Sequence, residues 1–147
     1  MCIIIDNNVV ARVLTNPADP DFGDLHRALV LDKRIRVRMQ YGGRLGREYA
    51  NNHAVRRLLV VLDAAGRAQR VSDADVDAEE KRVKREALCR SDDEHIIALA
   101  RVAKVRVLCS HDAALQADFR DKQLLDNPRG KIYLRAEHRK LLQLACR

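Results

Sequence analysis

The sequence is poor in aromatic residues. They make up 3% of the chain, with no Trp, three Tyr and two Phe. Proteins that hold single-stranded nucleic acid by its bases need aromatic side chains on which the bases stack. So few aromatic residues exclude an extended stacking surface, and any nucleic acid that binds should be held mainly through its phosphate backbone.

Cysteine pairs and long hydrophobic runs are also missing. The four cysteines form no CxxC pair and no Cys/His cluster with the spacing of a zinc site. No apolar run approaches the roughly 20 residues that span a bilayer, and the N-terminus lacks the pattern of a signal or transit peptide. We therefore expect a cytoplasmic protein without disulfides, in which Cys2 and Cys109 are small buried side chains.

Positive charge is what the sequence has in excess. Its 28 Lys and Arg outnumber its 21 Asp and Glu, which gives a net charge of +7, and 21 of the 28 are Arg. Because the guanidinium fork binds two phosphate oxygens at once, this excess favours a nucleic acid partner. Solvated helix faces are the alternative explanation.

Length and apolar content indicate one globular domain. A chain of 147 residues has the length of a single domain, and its 47% of apolar residues are enough for a core. The sequence contains no internal repeat and no low-complexity linker. We assign residues 1–147 to one domain and residues 121–147 to a basic C-terminal extension of unassigned role.

Hydrophobic periodicity predicts strands that alternate with helices. Apolar runs predict strands at residues 2–5, 35–39, 69–71, 105–109 and 132–134, the last at a sheet edge. Helical patterns cover residues 22–31, 44–65 with a break at 51–52, 73–88, 96–102 and 136–146. Ser91 and Glu94 have the spacing of a capping box. The alternation predicts an α/β fold, a three-layer sandwich around a mostly parallel sheet of four or five strands.

Four acidic residues fall where a parallel sheet binds its ligands, beyond the carboxyl ends of its strands. Asp6 and Asp112 follow the first and fourth strands. Asp93 opens the helix before the fourth strand, and Glu48 lies on the helix after the second. Acids gathered at one edge repel each other unless a cation neutralises them, so the four together indicate an Mg²⁺ or Mn²⁺ site.

Each of these acids also has a structural explanation. Asp6 and Asp112 could be helix N-caps, and Asp93 could be an acid favoured by the helix dipole. Glu48 could be a surface residue. Acids at helix starts are common, so the argument for a metal site depends on the four together.

Three blocks of sequence follow one another in a distinctive order. Residues 3–10, IIIDNNVV, read as a hydrophobic strand that ends in Asp and continues into an apolar helix. Residues 93–100, DEHIIALA, have the pattern D-x-x-I-x-A-x-A, and residues 105–112, VRVLCSHD, are a strand followed by S-x-D. Over about residues 2–120 these blocks resemble the PIN domain, a family of metal-dependent nucleases, whereas residues 121–147 match no block of that pattern.

The resemblance implies a role for each matching residue. It implies that four acids are catalytic metal ligands, namely Asp6, Glu48, Asp93 and Asp112. Asp92 is the less favoured neighbour, because the apolar spacing counts from Asp93. Asn8 and Ser110 match residues that support the first and last acids.

What the resemblance implies is a ribonuclease for single-stranded RNA, of the kind found as the toxin of a toxin–antitoxin pair. Its carboxylates would hold one or two Mg²⁺ or Mn²⁺ ions, and hydroxide formed at the metal would attack the phosphorus in line. The expected products are a 5′-phosphate and a 3′-hydroxyl. The implied partners are RNA, an antitoxin protein and a second copy of the chain.

Phosphate contacts have two candidate locations. Arg44 and Arg47 lie on either side of Gly46 and close to Glu48. Residues 120–147 hold eight basic and three acidic residues, a net charge of 8 − 3 = +5. Solvated side chains are the alternative at both. His95 and His111 flank the acids and are expected to be structural or solvated rather than proton carriers.

Other functions also begin with a strand that ends in Asp. A phosphatase of the haloacid-dehalogenase type needs a second Asp two residues on, where this chain has Asn8. A phospho-receiver domain needs an acidic pair after its first strand, where this chain has Asn7 and Asn8. A non-catalytic basic module that binds RNA on the same fold stays open, and metal-dependent cleavage distinguishes it from the nuclease.

Overall fold

The computed structural model describes residues 2–32 and 35–143 as alternating strands and helices. In chain order the elements are β1 (Cys2–Ile5), α1 (Asn7–Thr15), α2 (Gly23–His26), β2 (Arg36–Met39), α3 (Arg44–Ala50), α4 (His53–Ala64), β3 (Ala68–Arg70), α5 (Asp73–Glu86), α6 (Glu94–Ala103), β4 (Val107–Cys109), α7 (Ala113–Arg120) and β5 (Lys131–Tyr133). A π-helical turn (Arg27–Leu31) continues α2, and a 3₁₀ helix (Ala136–Gln143) follows β5. Among the described residues, no helix is long and apolar enough to cross a membrane.

The strands form one parallel sheet in the order β3-β2-β1-β4-β5. Ile3 in the central strand is in register with Val37 of β2 and Val107 of β4. Every residue of β1 is buried, as expected of a strand covered on both faces. Helices α1, α3 and α4 pack on one another, and α5 packs on α6. The predicted three-layer α/β sandwich with a parallel sheet is confirmed.

The sheet has a topological switch point between β1 and β4. The chain adds β2 and β3 on one side of β1, then returns to add β4 and β5 on the other side. The connections therefore diverge at the carboxyl ends of β1 and β4, which is where parallel sheets open a ligand crevice. Asp6 and Ser110 are the first residues after these two strands.

The predicted strands are all present, with boundaries shifted by one or two residues. β4 is shorter than predicted because Val105 and Arg106 lie before its ladder, and β5 is an edge strand as predicted. The predicted break between α3 and α4 is also present. There Asn52 caps α4 by accepting a hydrogen bond from the amide of Val55 at 3.2 Å.

Three helix predictions need correction. Residues 22–31 form the short α2 and the π-helical turn rather than one α-helix. The predicted helix at 136–146 is a 3₁₀ helix as far as Gln143, and residues 144–146 lie outside the described part. The capping box at Ser91 is wrong, because α6 begins at Glu94 and Asp93 occupies its N-cap position. The Ser91 hydroxyl accepts from the amide of Asp93 and donates to Asp118.

The expectation of no disulfide is also wrong. Cys2 is disulfide-bonded, whereas Cys89 and Cys109 are free thiols. Disulfides join cysteines that the fold brings together, and spacing along the chain does not reveal such pairs. Cys2 and Cys109 are both buried in the core, as predicted.

Candidate active site

Asp6 is held at the switch point by the end of the neighbouring strand. The buried Ser110 donates a hydrogen bond from Oγ to Asp6 Oδ2 at 2.6 Å, and the Asp6 amide donates to the carbonyl of Cys109 at 2.8 Å. Asp6 occupies the N-cap position of α1, but its side chain makes no capping hydrogen bond. Its carboxylate is therefore used at the sheet edge and not as a helix cap.

The same hydroxyl joins Asp112 and Asn8 to Asp6. Ser110 Oγ accepts hydrogen bonds from the Asp112 amide at 3.0 Å and from Asn8 Nδ2 at 3.4 Å. Asn8 Oδ1 in turn accepts from the amide of His111 at 3.2 Å. Asn8 and Ser110 thus lie where the sequence predicted supporting residues, and they link the first turn of α1 to the loop after β4.

Asp112 has the structural role that was its alternative explanation. Its Oδ1 accepts a hydrogen bond from the amide of Leu115 at 2.8 Å and so caps α7. This cap occupies one of its two carboxylate oxygens. The charge of Asp112 nevertheless reaches both Asp6 and Asp93, where it raises the carboxyl pKa.

Glu48 and Asp93 meet through the guanidinium of Arg44. Arg44 Nε donates to Glu48 Oε1 at 3.0 Å, and its Nη2 lies 3.9 Å from Asp93 Oδ1. Its Nη1 donates to the carbonyl of Asp92 at 2.8 Å. Arg44 is therefore the cation that offsets the negative charge at this point of the structure.

The carboxylates influence one another in spite of this cation. Desolvation by burial, followed by the charge of Asp6, raises the pKa of Asp93 to about 6. The pKa of Asp6 is also raised, mainly by desolvation; the hydrogen bond from Ser110 opposes this rise, and the charges of Glu48 and Asp112 add smaller contributions to it. The four predicted acids therefore share one electrostatic environment, whereas the side chain of Asp92 is 90% exposed.

The donor set has the chemistry of a site for a hard divalent ion. Within residues 2–32 and 35–143, no three or more His, Cys, Asp or Glu side chains are arranged to hold a metal ion as they lie. The four acids nevertheless offer oxygen ligands, and burial followed by the charge of Asp6 disfavours the ionised form of Asp93 in the absence of a cation. By ligand type alone these carboxylate oxygens could hold Mg²⁺ or Mn²⁺, and the guanidinium of Arg44 lies beside two of them.

Helix α3 presents Glu48 because its first turn packs directly on the end of β2. A Cβ atom at Gly46 would lie 2.3 Å from the carbonyl oxygen of Tyr41, so only glycine allows this approach. The buried Tyr49 hydroxyl donates to the carbonyl of Ile5 and ties α3 to the end of β1. Arg47, the other predicted phosphate ligand, donates to the carbonyl of Gly42 at 3.2 Å.

Asp118 is a residue that the sequence analysis missed. It is 1% exposed, and its carboxylate accepts hydrogen bonds from the amides of Arg90 and Ser91 and, at 2.7 Å, from the Ser91 hydroxyl. It therefore fixes the loop that leads into Asp93. The available signal was an acid on the apolar face of α7, three residues after Leu115 and next to Phe119.

The two histidines beside the acids have different surroundings. His95 is 4% exposed, and burial followed by the charge of Arg44 lowers its pKa. His111 is exposed, where its Nε2 lies 3.3 Å from Arg12 Nη1 and its ring meets the Phe22 ring edge-on. His95 Nδ1 lies 4.0 Å from Asp93 Oδ1, and the structural role expected of His95 stays a prediction.

The site as a whole gathers anionic oxygen ligands, one arginine and a fully hydrogen-bonded serine at a parallel switch point. Such a set can bind a divalent cation and stabilise charge on a phosphate group. Comparison of the chain with protein-family models, with curated proteins and with solved structures found no match in any of the three.

Proposed function

We propose that the protein is a metal-dependent endoribonuclease that hydrolyses phosphodiester bonds of RNA with Mg²⁺ or Mn²⁺. The observation that carries this proposal is the shared environment of Asp6, Glu48, Asp93 and Asp112 at the carboxyl ends of β1 and β4. The resemblance of three sequence blocks to the PIN domain supports it, as does the net charge of +7.

The roles of the residues follow from their contacts. The four acids would hold the metal, which supplies a Lewis acid for the phosphate and lowers the pKa of a bound water. Ser110 orients Asp6 and stabilises its ionised form, because its hydroxyl donates to the carboxylate. Arg44, with five N–H donors and a side chain that is 45% exposed, can bind a phosphate oxygen beside Asp93.

The resemblance extends the proposal to the cellular role. We infer a cytoplasmic toxin whose partners are RNA and an antitoxin protein, with pairing of two copies into a longer basic groove. Cleavage is proposed to leave a 5′-phosphate and a 3′-hydroxyl. Ligation of the products with an enzyme that requires a 5′-phosphate tests this last point.

One observation favours the alternative of a basic module that binds RNA without cutting it. Arg44 already neutralises Glu48 and approaches Asp93, so part of the negative charge is compensated by the protein itself. In that case Arg44 would be a permanent structural counter-ion. The two functions differ in whether RNA is cleaved.

Cleavage of a labelled single-stranded RNA in Mg²⁺ or Mn²⁺ is the test. We expect Asp6→Asn and Asp93→Asn to lose at least 100-fold of the activity, as when a charged group that stabilises the transition state is removed. Asp92→Asn is the matched control, because its exposed side chain is one residue away and it should cut RNA as the wild type does. Equal cleavage by all three variants, or RNA binding by the wild type without any cleavage, contradicts the nuclease proposal.

A further inference from the structure

A cavity whose lining includes none of the four acids lies between the end of α7, β5 and the 3₁₀ helix. It has a volume of about 570 Å³. Its lining includes four basic side chains, Arg120, Arg129, Lys131 and Lys140. All four are exposed to solvent and can therefore reach a ligand.

A close contact at Gly130 brings these basic residues together. A Cβ atom at Gly130 would lie 1.7 Å from the carbonyl oxygen of Phe119, so no other residue fits there without rearrangement. The contact places Arg129 and Lys131, on either side of Gly130, next to Arg120, which follows Phe119 at the end of α7. The 3₁₀ helix packs on β5 and adds Lys140.

The cavity lies along β5, the outer strand of the sheet, whereas Asp6 lies at the end of the central strand β1. Arg129 and Gly130 precede β5, and the Lys131 amide donates to the carbonyl of Arg106, just before β4 begins. Asp6 and Ser110 instead follow the carboxyl ends of β1 and β4. Since β4 lies between β5 and β1 and neighbouring strands are about 4.8 Å apart, the cavity and Asp6 lie about two strand spacings apart or more.

The four cations of the cavity are not neutralised by the protein. None of them makes an ion pair or a side-chain hydrogen bond within the described ranges. The acid that lines the cavity, Glu137, lies 3.6 Å from Arg135. His138 also lines the cavity, and its Nδ1 accepts from the Leu134 amide, so the ring N–H of its neutral form is on Nε2. The lining thus offers mainly donors and positive charge, which suit an anion rich in acceptors.

We propose that this cavity is a second phosphate-binding site, which holds the backbone of an RNA strand that also reaches the acidic site. Phosphate binding by the cavity stands on the four cations alone, whereas RNA as its source rests on the proposed function. The cavity therefore adds phosphate contacts to those made beside the acids.

Fluorescence anisotropy in EDTA, where no metal-dependent cleavage occurs, tests the site. For an RNA of about 20 nucleotides, we expect Arg129→Gln/Lys131→Gln to bind roughly tenfold more weakly, with a salt dependence reduced by about two ions. An RNA of about 4 nucleotides should bind more weakly overall but also lose affinity in the variant, because a short strand can occupy the cavity alone. Circular dichroism and the unfolding midpoint show whether the variant is folded.

The matched control removes two charges elsewhere. Arg57→Gln/Arg85→Gln alters exposed arginines on α4 and α5 that make no ion pair in the described part of the chain, and we expect its affinity for RNA to be unchanged. If both double variants lose affinity for RNA equally, net charge alone accounts for the binding. If neither loses affinity, the cavity does not bind RNA. Either result overturns the proposal. If the Arg129/Lys131 variant loses affinity for RNA but the wild type does not cleave RNA, the phosphate-binding site is supported and only the nuclease proposal is overturned.

The source of the phosphate is tested separately. Inorganic phosphate and pyrophosphate are titrated by NMR into the wild type and the Arg129/Lys131 variant. If both anions bind at the cavity while RNA affinity is insensitive to the variant, the site belongs to a small free phosphate and the RNA assignment is overturned. Competition between pyrophosphate and the long RNA supports a backbone site.

Discussion

The Ser110 hydroxyl donates a 2.6 Å hydrogen bond to the carboxylate of Asp6, from the end of β4 to the end of β1. The bond crosses the switch point of the sheet, where the two strands are neighbours. It opposes the effect of burial on Asp6, because hydrogen bonds to a carboxylate favour its ionised form. Ser110 therefore controls both the position and the charge of Asp6.

Replacement of Ser110 by alanine tests this control. We expect Ser110→Ala to lower the free energy of unfolding by about 1–2 kcal/mol, since buried polar groups lose their partner. The pKa of Asp6 rises further, so RNA cleavage falls most steeply at acidic pH. Ser110→Thr keeps the hydroxyl and should retain most of the activity. Cleavage rates of the two variants from pH 5 to 8 give the comparison, and identical profiles contradict the assigned role.

Removal of Arg44 should strengthen metal binding. The guanidinium contacts Glu48 and lies 3.9 Å from Asp93, so it competes with a divalent cation for the same negative charge. We expect Arg44→Gln to bind Mn²⁺ roughly tenfold more tightly, because a nearby positive charge is removed. Isothermal titration calorimetry measures the change without RNA.

Arg47→Gln is the control for Arg44. It removes the same charge from the same helix, but Arg47 donates to the carbonyl of Gly42 and makes no ion pair in the described residues. Its affinity for Mn²⁺ should be close to that of the wild type. Weaker Mn²⁺ binding by Arg44→Gln would show instead that Arg44 positions the acids.

The raised pKa of Asp93 makes the stability of the metal-free protein depend on pH. Folding raises this pKa from 3.8 to about 6, so the folded state holds the proton more tightly than the unfolded state. The stabilising contribution is present below about pH 4 and is lost as the pH rises through 6. From pH 4 to 7, we expect wild type to lose on the order of 1–2 kcal/mol relative to Asp93→Asn.

Urea denaturation in EDTA at several pH values measures this difference. The comparison with Asp93→Asn cancels the titration of the carboxyl groups remote from Asp93, which both proteins share. Addition of Mg²⁺ at pH 7 should restore stability to wild type more than to the variant, since a bound cation favours the ionised acid. A difference between the two proteins that does not change with pH would show that Asp93 ionises normally.

The sequence predicted the sheet well because its signals are local. The continuous apolar run at β1 and the alternation at β2 depend on residues that are adjacent in the chain. The positions of Asp6 and Asp93 were also predictable, since each is set by the end of a strand or the start of a helix. Predicting these features requires no information about contacts between distant segments.

Contacts between distant segments could not be predicted in this way. The Ser91 hydroxyl donates to Asp118, 27 residues away, and the local capping pattern gave the wrong answer because the helix begins at Glu94, after the loop that Asp118 holds. The role of Arg44 as a bridge between Glu48 and Asp92 likewise depends on how α3 meets the loop before α6. The disulfide of Cys2 was missed for the same reason.

Asp118 supplies the last prediction, because it fixes the loop before Asp93 without lying among the acids. Its carboxylate accepts from the amides of Arg90 and Ser91 and from the Ser91 hydroxyl. In Asp118→Asn one carboxylate oxygen becomes an NH₂ group. Both oxygen positions face hydrogen-bond donors, so the NH₂ group opposes a donor in either orientation of the amide. We expect the free energy of unfolding to fall by about 2–4 kcal/mol, since a buried network loses acceptors that it cannot replace.

Asp121→Asn is the control for Asp118, three residues further along the chain. Its carboxylate accepts a local hydrogen bond from the amide of Gln123 near the surface, so its loss should cost less than about 1 kcal/mol. Urea denaturation measures both variants, and RNA cleavage below their unfolding midpoints isolates the effect on the site. Because the loop sets the position of Asp93, the folded fraction of Asp118→Asn should cleave more slowly than that of Asp121→Asn. Equal rates per folded molecule would show that Asp118 contributes to stability alone.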